Sequence, residues 1–200
     1  MISVVIPTLN AEGGLAACLT AIVPAAVERS GPGRGEQLAA GAARARGPWL
    51  LFLHADTVLE PGWEREVSAL MERIDSGRRR PTAAAFRFAL DDDGFRPRTI
   101  EMGVALRCAL FRLPYGDQGL LIPRQLYQQV GGYNRLPLME DVDLVRRIGR
   151  RRMTVLRTHA VTSAARYQQD GYVRRSVRNL SCLALYFLRV PTRIIARLYG

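Results

Sequence analysis

Residues 49–57 read Trp49-Leu50-Leu51-Phe52-Leu53-His54-Ala55-Asp56-Thr57. Five apolar residues in an uninterrupted run are the mark of a strand covered on both faces, and this run stops at an imidazole and a carboxylate. His54 and Asp56 stand two apart, so they share one face of an extended segment. A helix follows: Pro61 occupies its first turn, Trp63, Val67, Leu70, Met71 and Ile74 recur at helical spacing, and Gly77 stops it. In open α/β sheets ligands bind beyond the carboxyl ends of the strands, so His54 and Asp56 are the first candidates for chemistry.

Working outward, Ile2 to Ile6 is a second, mostly apolar run, closed by Pro7-Thr8-Leu9-Asn10, where Asn10 can cap a helix over residues 12–23. A further helical pattern covers Arg34 to Arg46. Between these two helices the stretch Val27-Glu28-Arg29-Ser30-Gly31-Pro32-Gly33 is too short for a parallel strand with its crossover, which takes roughly a dozen residues. Either the chain is naturally shortened there or a segment is absent. Ala83 to Leu90 reads as a strand closed by the acidic turn Asp91-Asp92-Asp93-Gly94, and Leu120-Leu121-Ile122 as another. Pro123 then opens a helix that Gly131-Gly132 ends; a helix from Glu140 to Arg151 and a strand from Met153 to Leu156 complete the pattern. The alternation predicts an α/β layered domain with a mainly parallel sheet.

The chain has 200 residues, 48% of them hydrophobic, enough to bury one core. Its formal charge of +11 rests on arginine alone, because the sequence contains no lysine. Such a charge attracts phosphates, anionic lipids or nucleic acid. The arginine clusters Arg78-Arg79-Arg80, Arg146-Arg147 and Arg150-Arg151-Arg152 come without stacking aromatics or a recognition helix, so nucleic acid is not expected as a partner. Cys18, Cys108 and Cys182 fit neither a disulfide framework nor a zinc site, and point to a reducing compartment. No signal peptide is indicated, and the location expected is cytoplasmic. Leu180 to Val190 contains Arg189 and is followed by Pro191, short of the roughly 20 apolar residues a bilayer span requires. Two readings stand for this region: a C-terminal helix packed on the domain, and an amphipathic helix in peripheral contact with an anionic membrane at its inner face.

Two acidic motifs carry the chemistry. A carboxylate at Asp56 can hold Mn²⁺ or Mg²⁺, which takes diphosphate oxygens and neutralises charge as a nucleotide leaves; its structural reading is a turn former. Glu140-Asp141 lies behind the apolar lead-in Leu136-Pro137-Leu138-Met139. One acid of the pair suits a general base, although acids at a helix start also answer the helix dipole.

Together, the opening Pro7-Thr8-Leu9-Asn10, the stretch 49–57, Tyr115-Gly116-Asp117-Gln118-Gly119, and Pro137-Leu138-Met139-Glu140-Asp141-Val142-Asp143-Leu144 resemble a bacterial branch of the family-2 glycosyltransferases. That branch is the short type described as radical-SAM/selenodomain-associated transferase 2. The resemblance implies a GT-A fold, a Rossmann-like layered sheet here lacking one N-terminal strand segment, with residues 1–170 as the transferase domain and 171–200 as its C-terminal amphipathic helical tail. It implies an inverting, metal-dependent transfer of sugar from a nucleotide-diphosphate donor to an acceptor hydroxyl. Pro7, Thr8, Asn10, Arg34, His54 and Asp56 would bind the donor, Asp56 also the metal; Asp117 and Gln118 would line the acceptor side; Asp141 would be the base with Glu140 beside it. Arg166-Tyr167 stands near where relatives carry a basic-aromatic element that closes over the diphosphate. Relatives carry an Asp-Gly-Gly-Ser-Thr-Asp-like loop that residues 24–33 do not match. The alternative is therefore a catalytically impaired homologue that binds membrane surfaces or polyanions.

Overall fold

The computed structural model describes residues 1–8 and 33–199. Asn10, Cys18 and the stretch 24–32 discussed above lie outside the described residues. Among the described residues six strands form one sheet: β1 (Ile2–Val5), β2 (Trp49–Phe52), β3 (Thr57–Leu59), β4 (Ala83–Leu90), β5 (Leu120–Pro123) and β6 (Met153–Thr162), in the order β1-β2-β5-β4-β6-β3. The helices are α1 (Arg34–Arg44), α2 (Trp63–Asp75), α3 (Phe95–Phe111), α4 (Arg124–Gln129), α5 (Glu140–Ile148), α6 (Ala165–Asp170), α7 (Tyr172–Phe187) and α8 (Thr192–Tyr199).

The sheet corrects the expectation of mainly parallel pairing. β1 runs parallel to β2 and β4 to β6, whereas β2 with β5, β4 with β5 and β3 with β6 are antiparallel. A buried strand has the same apolar composition whichever way its neighbour runs, so its direction is a tertiary property.

Alternation along β2 explains why its run is apolar throughout. Leu50 and Phe52 point into one core with Leu38 and Ala42 of α1, Leu126 of α4, and Val142, Val145 and Ile148 of α5. Trp49, Leu51 and Leu53 point into the other, against Trp63, Val67, Leu70 and Ile74 of α2. Each large apolar side chain so buried contributes about 1.5–3 kcal/mol. β6 runs to Thr162 rather than ending at Leu156, because its second half pairs with both β4 and β3.

α3 is seated differently. Of its 17 residues only Pro97 and Cys108 are buried, while Phe95, Met102, Leu106, Leu110 and Phe111 are exposed. α7 likewise exposes Val173, Val177, Leu180 and Phe187. No described helix is long and apolar enough to cross a membrane.

Candidate active site

Strand register brings the motifs to one end of the sheet. β1 and β2 are parallel, with Val5 opposite Phe52, so Pro7-Thr8 and His54-Ala55-Asp56 leave the sheet at the same end. β5 is antiparallel to β2 and starts opposite Phe52 at Leu120, so the 3-10 turn Gly116–Gln118 that precedes it lies at that end too. Asp141, in the first turn of α5, is tied to this turn: its Oδ2 accepts a hydrogen bond from the Gly116 amide at 2.7 Å, and its Oδ1 accepts from its neighbour's amide, Val142 N, at 2.7 Å. Arg34, the first residue of α1, joins through its Nε, 3.2 Å from Glu140 Oε1.

Gly116 marks where these side chains meet. A Cβ on that residue would lie 2.7 Å from His54 Nε2, 2.9 Å from Arg34 Nη2 and 3.1 Å from Asp141 Oδ2. An imidazole, a guanidinium and a carboxylate therefore surround one point at the carboxyl end of β2. Gly35 permits the close seating of α1: a Cβ there would meet the Asn134 carbonyl oxygen at 2.6 Å and Glu140 Cβ at 3.2 Å.

Burial and neighbouring charge set the protonation states. Burial holds the His54 imidazole well below its ordinary range, and the positive charges of Arg34 and Arg166 push the same way, so His54 is neutral at pH 7. Its Nδ1 stands 3.9 Å from Asp56 Oδ1, beyond hydrogen-bonding distance. Glu140 is 3% exposed, and burial with the neighbouring charge of Asp141 raises its carboxyl, against the opposing pull of Arg34. Asp117 is pushed up to about 6, first by burial, with Asp141 and Asp56 adding and Arg107 and Arg34 opposing. Asp117 Oδ1 and Tyr115 Oη are buried without a hydrogen-bond partner among the described residues. Burial also pushes the Tyr115 phenol up to about 12.

The candidates from sequence divide accordingly. His54, Arg34 and Asp141 converge, Asp117 is coupled electrostatically to the last two, and Asp56 stands beside them, half-buried. Pro7 and Thr8 lie at the same end of the sheet, half-buried. Glu140 is turned inward beneath Arg34 and positions it. Gln118, expected on the acceptor side, is turned into the fold. It is 1% exposed; its Nε2 donates to the Phe86 carbonyl at 2.9 Å, and its Oε1 accepts from Tyr115 N, Cys108 Sγ and Arg107 Nη2. An amide that donates to one strand and accepts from three groups inside the fold holds the turn in place. Arg107, which sequence reasoning missed, lies with its guanidinium 3.5 Å from the centroid of the Tyr115 ring; it sits on α3, a helix without an amphipathic pattern to reveal it.

Among the described residues no three of His, Cys, Asp and Glu gather as a metal-holding group. Mg²⁺ is commonly held by one or two carboxylates together with substrate phosphates and water. The half-exposed Asp56 beside a neutral imidazole fits a cation shared with a diphosphate, and does not form an all-protein cage.

Solved structures resemble this fold. S. aureus TarS 1–349 superimposes with a TM-score of 0.57 at 12% identity, over 92% of this chain and 65% of that one. Its complex with UDP-GlcNAc gives 0.58, also at 12% identity, over 81% and 58%. The fold is GT-A. Glucosyl-3-phosphoglycerate synthase from Mycobacterium tuberculosis, in complex with Mg²⁺ and UDP, matches this GT-A domain with a TM-score of 0.50 at 15% identity, over 82% of this chain and 69% of that one. The chain thus spans 65% of the TarS 1–349 chain. No protein-family model matches the sequence, and no curated protein does.

Proposed function

We propose that this GT-A domain is a metal-dependent, inverting glycosyltransferase that carries a sugar from a nucleotide-diphosphate donor to an acceptor hydroxyl, of the family-2 branch named above. The observation that carries the reading is the meeting of Arg34, His54 and Asp141 around Gly116, at the end of the sheet where such folds bind ligands.

Each side chain has a distinct task in this reading. Arg34, held by Glu140, offers its remaining guanidinium donors to the diphosphate. His54, neutral, donates or accepts a hydrogen bond without adding charge. Pro7 and Thr8 line the nucleotide side. Asp56 would hold Mn²⁺ or Mg²⁺, and the cation would neutralise charge on the departing diphosphate. Asp141 takes the proton from the acceptor hydroxyl; two backbone amides fix its carboxylate, and a carboxylate has lone-pair sites beyond those two bonds. Arg166, whose charge reaches His54, closes the positive side. A cytoplasmic setting, with residues 171–200 as a tail that touches anionic membrane, belongs to the same proposal.

Calorimetric titration of UDP and GDP, each with Mn²⁺ and again with chelator, tests it. Metal-dependent binding that weakens in Asp56→Asn supports the donor site. Asp141→Asn is expected to bind nucleotide as wild type while losing nucleotide release from the matching nucleotide sugar. No binding of either nucleotide would reduce the protein to a GT-A fold without a donor pocket.

A further inference from the structure

A groove of about 960 Å³ runs between α3 and α7. Its walls are largely apolar, with Leu106 and Leu110 from α3 and Leu180 and Phe187 from α7, and the arginines Arg107, Arg112, Arg146 and Arg150 also line it. Its volume falls at the upper end of the range of about 300–1,000 Å³ for small-molecule sites. The inner end is polar, and there Tyr115 and Asp117 line the groove, with Tyr115 Oη and Asp117 Oδ1 buried and unpartnered among the described residues. A buried polar atom without a partner costs free energy, and a small shift of either side chain would present it to a hydroxyl in the groove. Asp117 follows Gly116, whose amide donates to Asp141 Oδ2 at 2.7 Å, so the polar end of the groove lies beside the candidate active site.

We propose that the groove holds the acceptor, a single-chain amphiphile whose alkyl or isoprenoid chain lies between α3 and α7 and whose hydroxyl end reaches Asp117 and Tyr115. A flat membrane surface would cover the exposed rims of the two helices but would leave the depth of the groove, where Tyr115 and Asp117 line it, unfilled; a single chain that enters the groove fills it. Leu106 and Leu180 are about 60% exposed, apolar area that an alkyl chain would remove from water. The proposal rests on the transfer reading for its chemistry. The acceptor oxygen bonds to the anomeric carbon as that carbon's bond to the diphosphate oxygen breaks. The nucleoside diphosphate leaves with the electron pair, and the hydroxyl proton passes to Asp141.

The test uses the whole chain and dodecyl glycerol ether, a single alkyl chain with a free diol, titrated below its micelle concentration, with glycerol as the headgroup control. The ether is expected to bind and glycerol not. Leu110→Glu with Leu180→Glu, both on exposed side chains, is expected to weaken the ether by about tenfold or more, because each places a charge against the chain. A UDP titration of the same variant reports separately on the donor site. Loss of ether binding with UDP binding intact supports the groove; UDP failing in the wild type while the ether binds removes the transfer chemistry and leaves the groove standing. Equal ether affinity in wild type and variant overturns the proposal. So does a wild type that binds no ether yet sediments as a dimer that the variant breaks, since the groove is then an interface between copies.

Discussion

At the scale of single residues, the site is built from side chains that are costly to the fold. Asp117 is the clearest. Its carboxyl is pushed up to about 6 from an ordinary 3.8, so between those values the folded protein holds a proton that the unfolded chain has released. Stability therefore falls as pH rises through that window, and the loss is complete above it. Asp117→Asn is expected to stabilise the protein at pH 7.5 by about 1–3 kcal/mol and to lose that advantage toward pH 4; urea melts at the two pH values measure the difference. Gly116→Ala should act in the opposite way. The methyl's nearest neighbours are the ends of three side chains, so the melting temperature should move little, while displacement of Arg34, His54 and Asp141 should lower nucleotide release by about 10²-fold. Arg34→Met, which leaves Glu140 without its partner, should weaken UDP by about tenfold in calorimetry.

Among elements, what the sequence disclosed follows from how each is buried. β2 and β5 were legible because burial on both faces demands a continuous apolar run, and β1 and β4 because theirs is broken only at Ser3 and at the exposed Arg87. β3 has three residues and leaves no pattern of its own, since it exists through pairing with β6. α3 was missed for the opposite reason: its apolar residues point to all sides, and no side-chain cap marks its start. The site shows the same division. Motifs contiguous in sequence, such as Glu140-Asp141 and His54-Ala55-Asp56, could be found by reading along the chain. The inward turn of Gln118, the contact between Arg107 and Tyr115, and the space that Gly35 and Gly116 leave open depend on segments far apart in sequence. Gly35 supplies the prediction at this scale. Its missing side chain lets α1 lie against the Asn134 carbonyl, so Gly35→Ala is expected to cost about 1–3 kcal/mol, read as a lower urea midpoint at constant m.

For the molecule as a whole, a charge of +11 carried by guanidinium groups is the dominant long-range feature. Self-repulsion at that charge destabilises the compact state and is screened by salt, so the melting temperature should rise between 0.05 and 0.5 M NaCl, on the order of a few degrees. Nucleotide affinity should fall over the same range. The seating of α3 adds a hierarchy within the fold. The sheet has helices packed on both faces, whereas α3 buries two residues and is flanked by the α7 groove and by a second cavity of about 740 Å³ against β4 and β6. Cooperative opening begins where apolar contacts are fewest. Amide protons of α3 should therefore exchange with deuterium long before those of β2 and β5, and limited proteolysis should cut within residues 95–111 while the sheet stays whole. A molecule that enters the groove would slow both processes, so α3 can report occupancy before the occupant has been identified.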